Sequence, residues 1–283
     1  MRVPRQHSSN CWLNAAIMSF FVSDGMHRTT RSLRAALTNP PSTLPAKLRP
    51  ELRQLGLAIH SVPLGILTRQ YSTAALIPAL QAADKAGLTT PRNRLGASPG
   101  AAHNPAWFLT ALASLLLPLR YPIARADLTA PGGSPHRTLS AALAAVTFHN
   151  ATKAPSSPPP RLLLVEAGQE TAGSKARAEL NKAIAEDRPL EAFGQQWKLD
   201  SLAMMDTGNS HFGGVITCGN APYTYDGMTG SRVHPKRTWR QVMDQLTDRP
   251  IPTPSREEFR YDIRTGYVVF AFVPLASSSG HQR

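Results

Sequence analysis

Three side chains of this 283-residue chain have the types needed for nucleophilic chemistry in concert: Cys11, His211 and Asp226. A thiol attacks only as the thiolate, so it needs a helix N-terminus or an imidazole beside it. The imidazole in turn needs a carboxylate or amide to orient it. A lone cysteine is more often a small buried hydrophobe, but this one keeps company that favours the reactive reading, that of a cysteine protease.

The polar run Gln6-His-Ser-Ser-Asn10 leads into Trp12, Leu13, Ala15, Ala16, Ile17, Phe20 and Phe21, an apolar pattern at helical spacing that puts Cys11 where a helix begins. The unpaired amides and dipole there favour a negative sulfur. Gln6 could place a side-chain amide beside a developing oxyanion or simply cap the loop; Asn10 or the Cys11 amide are alternative donors. Trp12 could shield the thiol near substrate or anchor its helix. Around His211, Gly213 to Cys218 and Tyr223 to Asp226 read as strand, turn and strand. Antiparallel pairing would turn the fifteen residues between His211 and Asp226 into side-chain contact. Asp226 precedes Gly227 and could instead be a turn former. Asn209, two positions from His211 on the same face, is the weaker orienting group.

These boxes resemble the ubiquitin-specific proteases, a branch of the papain-like cysteine peptidases. Cys11-Trp12-Leu13-Asn14 is similar to that family's nucleophile box, with Gln6 in place of its upstream amide residue, an Asn. His211-Phe212-Gly213 and Tyr223-Thr224-Tyr225-Asp226 are similar to its histidine box. Gly266 to Val273 resembles the last core strand, and Pro158 to Val165 the Pro-led central strand. The resemblance implies hydrolysis of a bond after the C-terminal Gly-Gly tail of ubiquitin or a ubiquitin-like modifier, with modifier conjugates as partners. A tail without side chains suits a narrow substrate channel lined by Gly213 and Gly214. A compact chain without zinc fingers is similar to the minimal versions encoded by large DNA viruses.

Composition bounds the rest. Two cysteines form no disulfide framework, which points to an intracellular reducing compartment, cytoplasm or nucleus. Cys218, in an apolar strand pattern, reads as packing. The histidines show no ligand spacing, so neither metal nor cofactor is expected. No signal peptide or spanning helix is visible, so no membrane partner is expected. Residues 1–160 hold 16 Lys and Arg against 4 acids, while 161–283 hold 15 against 14. The basic excess of 1–160 reads as a solubilising surface or as weak nonspecific contact with nucleic acid or another polyanion.

The pattern along the chain predicts an α+β, papain-like cysteine protease fold. An N-terminal helical lobe, 1–151, carries the nucleophile, with helices near 30–38, 49–57, 73–86 and 107–117. A Pro/Ser-rich linker at 152–160 leads to an antiparallel β-rich lobe, 161–276, carrying His211 and Asp226. A helix is expected over 175–186, an amphipathic stretch over 239–246, a closing hairpin of 258–263 with 266–273, and a disordered tail at 277–283. Two other activities fit the same residues: a cysteine protease that processes other polypeptides, and a basic non-catalytic protein that holds a modifier or nucleic acid.

Overall fold

The computed structural model describes residues 11–42, 44–68, 76–85, 104–115, 123–130, 132–149, 159–208, 211–226, 234–236, 238–247, 249–250 and 260–275. Helices come first: α1 (Cys11–Ile17), continued by a π turn over Met18–Val22, then α2 (Asp24–Thr29), α3 (Arg31–Thr38), α4 (Arg49–Thr68), α5 (Ile77–Lys85) and α6 (Pro105–Leu115). Strands and helices then mix: β1 (Ile123–Asp127), α7 (Leu139–Ala144), β2 (Thr147–His149), β3 (Leu162–Ala167), α8 (Lys175–Ala185) and β4 (Leu190–Ala192). The remainder is β5 (Gln195–Met205), β6 (Phe212–Cys218), β7 (Ala221–Asp226), β8 (His234–Pro235), α9 (Trp239–Gln245), β9 (Arg249–Pro250), β10 (Arg260–Tyr261) and β11 (Val268–Pro274).

Among the described residues, nine strands form one sheet in the order β2-β1-β3-β11-β5-β6-β7-β8, with β4 on the end of β5. It is antiparallel except where β1 runs parallel to β3. The fold is thus mixed α+β with an antiparallel-rich sheet. Both sheet faces are covered, which is why Leu162 to Val165 of β3 read as an apolar run rather than an alternating one. Leu162 and Leu164 point into a core shared with α1 to α6. Leu163 and Val165 point into a second core shared with α7, α8 and α9. Residues of β11 alternate in the same way, Val269 and Ala271 towards the first core and Phe270 and Phe272 towards the second.

The expected helices at 30–38, 49–57, 73–86, 107–117 and 175–186 correspond to α3, α4, α5, α6 and α8, with α4 continuing to Thr68. Three features differ from expectation. β1, α7 and β2 precede residue 151 yet join the sheet and its second face, so the β-rich part draws on both sides of the expected linker. The closing hairpin does not form: β10 pairs with β9, while β11 lies between β3 and β5. A strand apolar on both faces is most stable in the middle of a covered sheet. Cys218 ends β6 half-exposed rather than packed. Most of the linker, residues 152–158, and the tail at 277–283 lie outside the described residues.

Two buried carboxylates fasten the helices to the sheet. Asp200 of β5 accepts from the backbone amides of Gly25 (2.9 Å) and Met26 (2.8 Å), closing the open N-terminus of α2 from across the fold. A Cβ on Gly25 would lie 2.5 Å from Asp200 Oδ1, so only glycine permits this approach. Glu166 of β3 accepts from both Nε and Nη2 of Arg125, from Asn104 Nδ2 (2.6 Å) and from Tyr267 Oη (2.5 Å), tying the start of α6 to β1, β3 and the residue before β11. Removing the α2 cap with Asp200→Ala should cost about 1–2 kcal/mol in urea unfolding, as N-cap losses do. An unchanged midpoint would show that water replaces the carboxylate without penalty.

Candidate active site

Cys11 is the first residue of α1, whose seven residues are all buried. A helix apolar on every side must lie inside, and α1 sits between the sheet and α6. The Trp12 ring meets Phe108 of α6 edge to face at a centroid distance of 5.9 Å, which sets Trp12 in the core as the anchor of the helix. Sheet side chains hold the rest of the helix. Tyr225 donates its hydroxyl to Ala15 O (3.0 Å), and Ser201 donates to Ser19 O (2.8 Å). These bonds meet the chain around the π turn, where the regular helical ladder changes register.

His211 lies one residue before β6. Its backbone N–H donates to Asp206 Oδ1 at 2.6 Å, and its carbonyl accepts from the Asp206 amide at 2.8 Å, so Asp206 clasps the loop between β5 and β6. Gly213 faces Asp226 in the β6–β7 register, and that pairing brings the two side chains together across the strand ends. His211 Nε2 lies 2.7 Å from Asp226 Oδ1, with both side chains essentially excluded from solvent. The second oxygen, Asp226 Oδ2, accepts from the Tyr261 hydroxyl at 2.9 Å. Nε2 being taken, Nδ1 is the imidazole nitrogen left to face Cys11, which acts on the titration of His211.

Burial acts to lower the pKa of His211, but the bonds from Asp226 and Cys11 and their negative charges outweigh it and lift the pKa from 6.5 to about 9. The imidazole is therefore held as imidazolium at neutral pH. An imidazolium beside a sulfur favours the thiolate, the form that attacks carbonyl carbon.

Glycines 213 and 214 are buried in β6 rather than lining an open channel, so their placement lends no support to a substrate-binding role. A Cβ on Gly213 would fall 2.8 Å from Tyr261 Oη, and one on Gly214 would fall 2.5 Å from Tyr225 Oη. Each glycine thus makes room for a tyrosine that fastens the site. Gln6 and Asn209 lie outside the described residues. Sequence reasoning did not find Tyr261, Asp206 or Arg177. Arg177 of α8 is buried against Phe270 and donates to the carbonyls of Ile263 (2.9 Å), Arg264 (3.1 Å) and Gly266 (3.0 Å), fixing the turn that follows Tyr261. Burial lowers its pKa to about 10. Among the described residues, no three His, Cys, Asp or Glu side chains gather as a metal site, and no helix is long and apolar enough to cross a membrane.

No model of a known protein family matches this chain, and no curated protein sequence matches it. Solved structures do resemble it. One, a SAGA DUB module of Ubp8, Sgf11, Sus1 and Sgf73 bound to monoubiquitin, is 9% identical and superposes with a TM-score of 0.50 over 97% of this chain and 69% of that one. Another, the same module bound to ubiquitin aldehyde, is 10% identical with a TM-score of 0.49 over 97% of this chain and 70% of that one. The first likeness establishes a shared fold.

The buried imidazole gives a direct spectroscopic test. In NMR titration, His211 should titrate near 9 in the wild type. In Asp226→Asn, where burial is left with less to oppose it, the midpoint should fall by about two units or more. Folding linkage carries the same sign. Because the folded-state pKa lies above the unfolded value, the stabilisation from His211 is complete below 6.5 and is lost as pH rises through 9. The stability gap between wild type and His211→Gln should therefore shrink over that window in urea unfolding. A gap constant from pH 6 to 9 would contradict the assignment.

Proposed function

We propose that this protein is a papain-like thiol isopeptidase, a deubiquitinase, hydrolysing bonds after the C-terminal Gly-Gly of ubiquitin or a ubiquitin-like modifier. The carrying observation is the buried set of Cys11 at the start of α1, Asp226 at 2.7 Å from His211 Nε2, and a His211 pKa that both of them raise. The fold shared with a ubiquitin-bound DUB module supports the choice of substrate.

Cys11 Sγ attacks the carbonyl carbon of the scissile bond, and the carbonyl oxygen becomes an oxyanion. The Cys11 amide at the helix start and the Gln6 side chain stabilise that charge. Imidazolium His211 gives its proton to the leaving amine, the C–N bond breaks, and a thioester to Cys11 remains. His211, now neutral, takes a proton from water as the water oxygen attacks the thioester. The carboxylate product leaves with sulfur as the departing group. Asp226 keeps the imidazole oriented throughout, and Tyr261 keeps Asp226 oriented, acting as a positioning residue. With two cysteines and a reactive thiol, the protein works in a reducing compartment.

Purified wild type and Cys11→Ser, incubated with ubiquitin and related modifiers carrying a C-terminal thiol-reactive group, test this reading by intact mass. A single adduct on the wild type and none on Cys11→Ser is expected. A folded wild type that takes up small alkylators at Cys11 but forms no modifier adduct would instead favour a protease processing other polypeptides. Tyr261→Phe, which keeps the ring and loses the donor, should lower kcat roughly tenfold with KM little changed and shift the pH profile. Equal losses at every pH, with a lowered melting point, would reduce Tyr261 to a packing residue.

A further inference from the structure

At the other end of the molecule lies a groove that this chemistry does not use. It encloses about 530 Å³ and is lined by Arg28, Thr29, Arg31, Ser32 and Ala35 from α2, α3 and their junction, with Arg161 and Pro274 from the sheet. The register of Phe272 opposite Leu163 sets Pro274 beside Arg161, which is how a cation far along the chain meets Arg28 and Arg31. All three guanidinium-bearing residues are exposed. Among the described residues, ion pairs go to Arg125, Lys175, Lys182, Arg188, Lys198, His211 and Arg264, and none to Arg28, Arg31 or Arg161. Behind them Arg34 is buried, its Nη2 on the carbonyl (2.8 Å) and Nε2 (3.1 Å) of His27, and burial and the nearby Arg31 charge lower its pKa.

Three exposed arginines line one concavity that has no carboxylate in its lining, so the concavity favours a bound anion. Guanidinium is the side chain that grips phosphate with paired N–H donors, and Ser32 lines the groove beside it. No aromatic lines the groove, so it offers no platform for stacking bases as single-stranded nucleic acid requires. A dianion concentrated on one residue matches a compact triad of cations better than a spread of single charges does.

We propose that this groove is a docking site for a phosphoserine- or phosphothreonine-bearing segment of a partner protein. The phosphate sits among Arg28, Arg31 and Arg161. β6 runs from the catalytic end to the side of the molecule where Ser23 bonds Thr217, a span of about 20 Å at 3.3 Å per residue. A bound segment therefore lies away from Cys11, His211 and Asp226.

Fluorescence anisotropy on the full chain tests the proposal, with a labelled degenerate nonapeptide library centred on phosphoserine, the same library with serine, and a twenty-nucleotide oligothymidine. Phosphopeptide binding is expected to weaken roughly tenfold in Arg31→Gln and again in Arg161→Gln, with the serine library weak throughout. Both substitutions are at exposed positions, and melting curves confirm folding. Equal binding of the two libraries, or wild-type affinity in both variants, would overturn the proposal. Oligothymidine binding tighter than the phosphopeptide and lost in the same variants would also overturn it. The readout is binding, so Cys11→Ser protein serves equally, and the result stands apart from the proposed hydrolysis.

Discussion

A carboxylate with no exposed side-chain surface stands at the end of β7, and the surrounding structure is arranged to keep it there. Taking an ion out of water costs several kcal/mol unless its oxygens are met by good donors. Asp226 meets His211 at one oxygen and Tyr261 at the other. Each must be held from elsewhere. Asp206 grips the backbone of His211 at both N–H and C=O, and Arg177 ties down the turn after Tyr261 through three carbonyls. Gly213 leaves the space through which the phenol reaches. The glycine, the arginine and the second aspartate all serve a single buried charge.

The sulfur side is built by apolar burial. α1 presents no polar face, so it cannot sit at the surface, and its only stable position is between the sheet and α6. Hydrogen bonds from Tyr225 and Ser201 then set its height against the strands. Burial alone would leave a helix free to rotate or slide. Buried polar bonds confer the registry that places Cys11 opposite His211.

Much of this was legible in the chain. Local pattern carried α1, α3, α6, α8 and the β6–β7 hairpin, because each is a run whose periodicity is decided by its own residues. The pairing of His211 with Asp226 followed from hairpin geometry. What escaped were contacts between distant segments. Tyr261 sits in Arg-Tyr-Asp, a tripeptide with no local signature, and reaches its partner from 35 residues away. β11 looked like half of a hairpin because its neighbour in sequence is close, whereas its neighbours in space are β3 and β5. Glu166 did leave a trace: a single acid inside an otherwise apolar strand must have partners waiting for it. The glycines read as a channel because their smallness was visible, while the tyrosines they accommodate were not.

The central position of β11 has a consequence for the order in which the molecule comes together. The strands on one side, β2, β1 and β3, and those on the other, β5 to β8, share no hydrogen bonds until β11 bridges them. That bridge is contributed by residues 268–274, near the C-terminal end of this sequence, so the sheet closes through pairings of very large sequence separation. Such closures are slow. During synthesis the thiol at position 11 emerges long before its imidazole partner, and the nascent chain spends that interval as an ordinary cysteine-bearing polypeptide. Cys11 therefore meets its buried imidazole only once β6, β7 and β11 have all been made and joined.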